Sequence, residues 1–542
     1  MTAQVPGGQH HQPSPPRGRI PAAMALAVAF LSGAAVMVVE LGAARLVAPF
    51  FGQSLYVWTN VIATVLAALA AGNFVGGRAA DAWPRASVLA GLLFSAAILC
   101  VIPPAVVPRI AHALLPPSLE LEVAFPFLSM GSLVTAVAAF APVVFVLGAV
   151  LPFLIKLTAV SADRLGSLSG SLYGGSTFGS IAGTFLASYG LIAWFGVRAA
   201  FWCAAAMLFA CAILAAAASR GWQKRAALAI TTLLVCVLAQ LLCDEPPDAS
   251  IKLARDSSYQ FVRVRSVPEQ HAVKLELNEG LDSFQSLLIE GEVLTGGQYY
   301  DYFSLAPLFG CRTRSFDVLI LGLAGGTIAR QLLSIWGERL ALQIDGVEID
   351  PAVVAAGYEF LQMPRDPRLV VHSGIDARSF LQLTRKQYDL IVVDAYAQQA
   401  YIPFHLSTIE FFAQVREHLT AGGVVAINVG AYSRNDAVLT AITNTVARVF
   451  GKVLSGRIPL GRNYLVWTTF DGRPRHPSQL DAADVPAIIE PLLEQFRTPG
   501  RVIAVRHRDC ELTLTDDHAP IERLHDRAQR DRARAYVAGS SP

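Results

Sequence analysis

Apolar residues run in long unbroken stretches through the first half of the chain, then shift to short alternating or β-branched segments that continue almost to the end. A helix that crosses a bilayer needs about 20 consecutive apolar residues. Stretches of that kind lie at 20–39, 57–80, 87–107, 127–151, 170–194, 199–218 and 226–242, about seven in all, with one open boundary between Pro103 and Lys156. Beyond Cys243 the period changes. YQFVRV (259–264), VKLELN (273–278) and SFQSLLI (283–289) alternate as strands do, with turns at Pro268 and at 278–280. From Phe316 the order is a continuous β-branched run, a glycine turn and a helical pattern beginning at Thr327, and further strand-like runs end near Glu348, Asp376 and Asp394. Strands without polar alternation, separated by helical patterns, predict a parallel sheet covered on both faces.

The resulting plan is a disordered tail at 1–19, a transmembrane domain of about seven helices at 20–243 and a linker at 244–256. A small β subdomain with its following loop occupies 257–310, the α/β domain 311–535, and a tail 536–542.

Composition sharpens this picture at one point. Only 15% of the 542 residues are charged, mean hydropathy is +0.46, and nearly all the acids lie beyond Cys243. Soluble domains carry about 25% charged residues, so a wholly soluble chain is excluded. Lys and Arg favour a cytoplasmic N-terminus: Arg17, Arg19, Arg78, Arg85, Lys156, Arg164, Arg220, Lys224 and Arg225 fall on one side, and Arg45, Arg109 and Arg198 on the other. An odd number of spans then places the α/β domain on the opposite face, and the sequence leaves that face open. The small residues Ser169, Gly170, Gly174, Gly175, Gly179 and Gly183 are spaced for close helix packing. Glu40, Arg45, Asn60 and Asn73, in or beside the first two spans, either line a path or form a structural pair and interfacial anchors. The seven cysteines include no C-x-x-C and no Cys/His ligand spacing, which argues against a metal site.

The candidate chemistry sits at 316–394. Gly322, Gly325 and Gly326 allow the backbone to approach a ligand. A dinucleotide fingerprint would place glycine at 324 and 327, where Ala324 and Thr327 stand, so dinucleotide binding is disfavoured. Glu348, about twenty residues on, suits ribose hydroxyls. Asp376 and Asp394 join it at the carboxyl edge of one sheet, where ligands of open α/β sheets bind. The competing reading is that such acids cap helices, and Asp350 before Pro351 is best read that way. Tyr299, Tyr300 and Asp301, in GGQYYDYF, either face a ligand or pack between subdomains. Glu410 follows Ser407 at capping-box spacing, and Asp516, Asp517 and His518 form a turn or a replacement contact for an ammonium.

These motifs, taken in order, resemble the spermidine synthase family of aminopropyltransferases: S-S-Y-Q-F-V, L-E-L-N with a following Q-S, Q-Y-Y-D-Y, V-L-I-L-G-L-A-G-G, V-E-I-D, D-A-R-x-F and Y-D-L-I-V-V-D, over about 257–429. The chain is most similar to the variety in which a multi-span region precedes the synthase-like domain. The stretch 72–85, GNFVGGRAADAWPR, resembles the loop after the second helix of major facilitator transporters. The resemblance implies a multi-span α-helical membrane domain plus an α/β fold: a small N-terminal β subdomain, then a Rossmann-like sheet of the class I methyltransferase type.

It also implies aminopropyl transfer from decarboxylated S-adenosylmethionine, a co-substrate rather than a tightly bound cofactor, to an amine such as putrescine. Gln260 and Glu348 would hold the ribose, Asp376 and Ala377 the adenine, with Pro403 beside the nucleoside and Gly322, Gly325 and Gly326 shaping the turn. Tyr299, Tyr300, Asp301 and Tyr396 would face the acceptor. Asp394 would take the proton that an amine with a pKa near that of Lys, about 10.4, must lose before attack. The expected partners are this amine, the lipid bilayer of the cell membrane, and a second copy of the chain in a possible homodimer; nucleic acid is not among them.

Three departures stand out. Gly325 and Ala397 occupy positions where the family has aspartates, and an acidic pair before the tyrosines is missing. Each unpaired buried ammonium costs several kcal/mol. Classical spermidine synthesis is therefore in doubt, and two other readings stay open: methyl transfer from intact S-adenosylmethionine on the same fold, and a transporter or sensor whose α/β domain binds a nucleoside or polyamine without turnover.

Overall fold

The structure is a computed structural model. It describes residues 19–52, 55–114, 124–158, 164–217, 248–278, 284–310, 315–396, 402–521, 523–525 and 527–528. Within it the chain divides into two units, one drawn from the helices of the first half and one that contains everything from Pro246 on together with Val47–Trp58 and Ala111–Ser132.

The helical half comprises α1 (Ala22–Phe51), α2 (Leu55–Ala82), α3 (Ala86–Val101), α4 (Pro103–Leu114), α5 (Ala124–Ala139), α6 (Ala141–Thr158), α7 (Leu165–Phe185) and α8 (Ile192–Ala217). Four of these helices are long and apolar enough to cross a membrane: α1, Tyr56–Ala82 within α2, α6, and Trp194–Ala217 within α8. The pair α3 and α4, bent by 49°, makes a fifth if it is one broken span.

Several expected spans are subdivided. The stretch 87–107 breaks at Ile102 because Pro103 and Pro104 lack the N–H groups that would continue α3. The stretch 127–151 breaks at Phe140, with Pro142 in the first turn of α6. The stretch 170–194 leaves α7 through a π-helical turn, Leu186–Leu191, and Gly196 then takes φ 81° and ψ 170° inside α8. Residues 72–82, which resemble a transporter loop, are helix, as the span expected at 57–80 requires for most of them. Asp81 there forms an exposed ion pair with Lys156 at 2.6 Å. The stretch 226–242 lies outside the described residues.

The packing reason for the glycines of α7 is visible. A Cβ at Gly179 would stand 1.9 Å from the Phe30 carbonyl oxygen and one at Gly183 2.4 Å from that of Ala34, so α7 lies directly on the backbone of α1. Gly170 and Gly174 face open space and take no part in that seam. The Asn73 side chain donates to the Leu69 carbonyl of its own helix.

In the second unit, β1 (Ile251–Asp256), β2 (Phe261–Val267), β3 (Ala272–Leu277) and β4 (Ser286–Ile289) form a four-stranded antiparallel sheet in sequence order. Residues 251–256, expected in the linker, are its first strand. The main sheet holds β5 (Ser315–Leu321), β6 (Ala341–Glu348), β7 (Leu369–Ser373), β8 (Tyr388–Val393), β9 (Leu419–Gly430), β10 (Lys452–Arg457), β11 (Asn463–Thr469) and β12 (Val502–Arg506). Its order is β12-β10-β11-β9-β8-β5-β6-β7. The run from β7 to β9 is parallel; β11, β10 and β12 are antiparallel additions.

The uninterrupted apolar run of β5 follows from this arrangement. Val318 and Ile320 belong to the core on one face of the sheet and Leu319 and Leu321 to the core on the other, all fully buried. The smaller sheet has its own core, in which Val262, Val264 and Leu275 meet Val353 and Ala356 of the helix Pro351–Phe360. Strand order reverses at β5, whose neighbours are β6 and β8, and the carboxyl ends at such a reversal open a crevice.

Candidate functional site

That crevice is a cavity of about 640 Å³. Its floor is set where β5 ends. Gly322 takes φ 94°, and a Cβ there would lie 2.4 Å from the Asp394 carbonyl oxygen, so the end of β8 can approach the turn only because residue 322 has no side chain. The Asp394 N–H donates to the Leu321 carbonyl at 2.9 Å, and the Gly322 N–H to that of Val347 at 3.0 Å. Three strand ends are thereby stitched together. The next residue but one, Ala324, is left-handed at φ 47°, and its N–H donates to Glu348 Oε2 at 2.9 Å.

Glu348 closes β6 and lines the cavity. Its other oxygen accepts from the Asp350 N–H at 3.1 Å, and burial raises its pKa to about 7 despite these donors. Asp376 follows β7 and serves two purposes. Oδ1 caps the helix Ala377–Leu383 by accepting from the Arg378 and Ser379 N–H groups, while Oδ2 accepts from His405 Nε2 at 2.9 Å. The His405 bond, ahead of the caps, holds the Asp376 carboxyl below its usual range. Gln260, Ala377 and Pro403 also line the cavity.

Asp394, half-buried, lines the cavity at the end of β8. Oδ1 accepts from Asn428 Nδ2 at 2.9 Å, and Tyr299 hydrogen-bonds to the same carboxylate. Burial outweighs both donors and lifts its pKa to about 7. The Tyr299 hydroxyl is pushed well up by burial, with the Asp394 charge as the next cause. Tyr396 also faces the cavity; its hydroxyl donates to the Asn428 carbonyl at 3.0 Å and accepts from the Gly430 N–H at 2.9 Å.

Four candidates fall outside the cavity lining. Tyr300 is buried against Tyr299, with ring centroids 4.0 Å apart, and donates to the Phe284 carbonyl. Asp301 is fully buried and accepts from the Thr295 N–H, Thr295 Oγ1, the Gly297 N–H and Gln331 Nε2 at 2.6–2.8 Å, so it ties down the loop ahead of the tyrosines. Gly325 donates its N–H to Ser286 Oγ, and a Cβ there would crowd Ser286 and Leu361. Gly326, at φ 83°, is packed under Met363 at the start of the helix Thr327–Trp336. Ala397 lies outside the described residues.

The other acids are structural. Asp350 caps its helix and accepts from Ser257 Oγ at 2.6 Å. Asp516 is clamped by both terminal nitrogens of Arg378 at 2.7 Å and by Thr408 Oγ1, and the Asp516 N–H is accepted by Glu410. The cap of the helix Ile409–Glu417 is Thr408 rather than Ser407. Among the described residues no group of acids, histidines or cysteines could hold a metal ion.

The cavity also contains residues that local motifs do not reveal. His405, Asn428, Tyr432, Arg457, Arg462 and Asn463 all line it. Asn428 alone carried a signal, as the polar residue in the apolar run VVAINV at the end of a predicted strand.

Residues 307–468 match the Spermine/spermidine synthase domain. The chain is 30% identical over 290 residues to a probable polyamine aminopropyl transferase of Bifidobacterium longum, covering 50% of this chain and 61% of that protein. It is 34% identical over 147 residues to a polyamine aminopropyltransferase of Vibrio vulnificus, covering 26% of this chain and 46% of that one. Less than two thirds of either relative's length is therefore spanned. Among solved structures, a probable spermidine synthase from Corynebacterium glutamicum is similar at 17% identity, with a TM-score of 0.38, over 50% of this chain and 97% of that one.

Proposed function

We propose that the α/β unit transfers an aminopropyl group from decarboxylated S-adenosylmethionine to an amine acceptor, with Asp394 as proton acceptor, in a protein held in the cell membrane by its apolar helices. The observation that carries this reading is Asp394 itself. It is a half-buried carboxylate with a pKa near 7, lining a cavity within the stretch that matches the spermine/spermidine synthase domain. A base is most useful when its pKa lies near the working pH.

The nucleoside of the donor lies at the end formed by Gln260, Glu348, Asp376, Ala377 and Pro403. The acceptor arrives as an ammonium, is held by Asp394 and gives that carboxylate its proton. The freed nitrogen lone pair attacks the aminopropyl carbon bonded to sulfur. As the N–C bond forms the C–S bond breaks, its electron pair stays on sulfur, and the sulfonium becomes neutral methylthioadenosine. The proton on Asp394 passes to solvent. The sulfonium supplies the leaving group, so the step needs no metal. The four long apolar helices support the membrane assignment.

The test is calorimetric binding of decarboxylated S-adenosylmethionine, S-adenosylmethionine and methylthioadenosine to the detergent-solubilised protein, followed by mass spectrometry of products with a panel of amines that includes putrescine. Preference for the decarboxylated donor and a mass gain of one aminopropyl unit support the reading. Preference for the intact donor with a methyl gain replaces it by methyl transfer. Binding of none of the three overturns both and turns attention to Glu40 and Asn73 in the helical half.

A further inference from the structure

Strand order arranges the cavity wall in series. Asp376 and Glu348 come from the β7 and β6 ends, Asp394 from β8, Asn428 from β9, Asn463 from β11 and Arg457 from β10. Read in that direction, the charge changes sign. Among the described residues every carboxylate lining the cavity is Asp394 or lies on its β6–β7 side. Past Asp394 the charged groups are Arg457 and Arg462, among the amides of Asn428 and Asn463 and the phenol of Tyr432.

Arg462 is the more informative of the two arginines. Nη1 donates to the Tyr432 hydroxyl at 2.8 Å, and the guanidinium lies 5.6 Å from the centre of the Tyr432 ring. Nη2 is buried and has no acceptor among the described residues. A buried donor on a charged group without a partner is unfavourable, and a rotation of the guanidinium toward the cavity that Arg462 lines would bring that donor to a ligand oxygen. The nearby Asp436 accepts from the Tyr432 and Val438 N–H groups and is an attractive charge to Arg462 without a hydrogen bond to Nη2.

We infer that the acceptor is an amine that also carries a carboxylate, with its amino group at Asp394 and its carboxylate on Arg462. This rests on the aminopropyl-transfer reading above and names its substrate class. A simple diamine would bring a second ammonium against Arg462 and Arg457, where like charges repel. A carboxylate instead gains charge-assisted hydrogen bonds from a planar guanidinium. An acceptor with a carboxylate in place of its second ammonium would have no need of the diamine-holding acid that the family has at 397.

Three probes of matched length separate the cases: putrescine, ornithine, which is putrescine bearing a carboxylate, and 4-aminobutyrate, in which a carboxylate replaces the second amine. The expected result is a higher kcat/KM for 4-aminobutyrate or ornithine than for putrescine. Arg462→Gln should then lower the ratio of 4-aminobutyrate to putrescine kcat/KM by about ten- to a hundredfold, the loss of a hydrogen bond to a charged group. Arg462→Lys, which keeps the charge but not the fork, should recover part of it. Methylthioadenosine binding by each variant reports that the sheet is folded. Aminopropyl gain on putrescine in preference to both carboxylated amines overturns this inference and leaves the transfer reading intact, as does an unchanged ratio in folded Arg462→Gln. Absence of aminopropyl gain on every amine overturns both.

Discussion

The hydrogen bond from Asn428 to Asp394 makes a quantitative prediction about the pH dependence of turnover. Asn428 Nδ2 donates to Oδ1 at 2.9 Å and so favours the ionised base. Asn428→Ala removes that donor. A hydrogen bond to a charged group contributes about 1.5–3 kcal/mol, and one pKa unit corresponds to about 1.36 kcal/mol. The Asp394 pKa should therefore rise from about 7 by at least one unit. The sign follows from the active form. Catalysis needs the carboxylate, so kcat/KM climbs with pH through the pKa, and raising the pKa moves that limb upward. At pH 7 the ionised fraction would fall from about one half to about one tenth, roughly a fivefold loss, while activity at pH 9.5 recovers. The assay is methylthioadenosine release across pH 5.5–9.5 with decarboxylated S-adenosylmethionine as donor. Asn463→Ala serves as a control, because it removes the partner of Asn428 Oδ1 and leaves the Nδ2 donor in place. A limb that stays near pH 7 in Asn428→Ala, or a loss equal at every pH, would refute Asp394 as the titrating base.

Three further outcomes are expected. Asp394→Asn should abolish transfer yet raise the melting temperature of the solubilised protein at pH 8 and leave it unchanged near pH 4. The folded pKa is raised above the unfolded value, so the destabilising effect of ionisation is absent below about 4, grows between about 4 and 7, and amounts to at most about 4 kcal/mol above that. Equal melting shifts at both pH values would contradict it. Ala324→Gly should stabilise the protein by up to about 1 kcal/mol, since the left-handed backbone at φ 47° penalises a Cβ; a drop in melting temperature would argue against that strain. Asp301→Ala should destabilise by about 3–5 kcal/mol, because four donors lose one buried carboxylate. Whatever folds should bind the acceptor normally, and a raised KM with an unchanged melting temperature would return Asp301 to the substrate site.

How much of the site could be read in advance depends on which kind of strand carries each residue. Gly322, Glu348, Asp376 and Asp394 sit at the carboxyl ends of parallel strands, and there the local pattern is enough. A β-branched run marks a strand buried on both faces, and the residue just past its end must lie at the crevice, wherever the strand falls in the sheet. The same logic also selects Asp301, Gly325 and Gly326, which do not line the cavity, because a motif fixes position along the chain and not whether the neighbouring space is already filled. Ser286 fills it for Gly325, Met363 for Gly326, and Asp301 is consumed by Thr295, Gly297 and Gln331. In the helical half, the length rule found the apolar stretches but not their breaks, which depend on Pro103, Pro142 and Gly196 more than on hydropathy.

The wall beyond Asp394 is different in kind. Arg457 ends β10 and Asn463 begins β11, and they reach the cavity because β11 runs antiparallel beside β9, with Asn463 opposite Gly430 and Leu465 opposite Asn428. In an antiparallel pair, register determines which side chain comes to an edge, and a shift of one residue would move every side chain to the other face. No local motif in GRIPLGRNYLVW encodes that register. The site is thus half legible: parallel strand ends present the acids, and antiparallel additions present Arg457, Arg462 and Asn463, with Asn428 on the last parallel strand. On the proposed reading, the legible half sets the reaction and the other half chooses the acceptor. A chain could then keep every motif of the first half while its acceptor changed through substitutions in the second. Arg462 is where that separation is exposed, since its substitution should alter which amine is used without moving the pH limb set by Asp394 and Asn428.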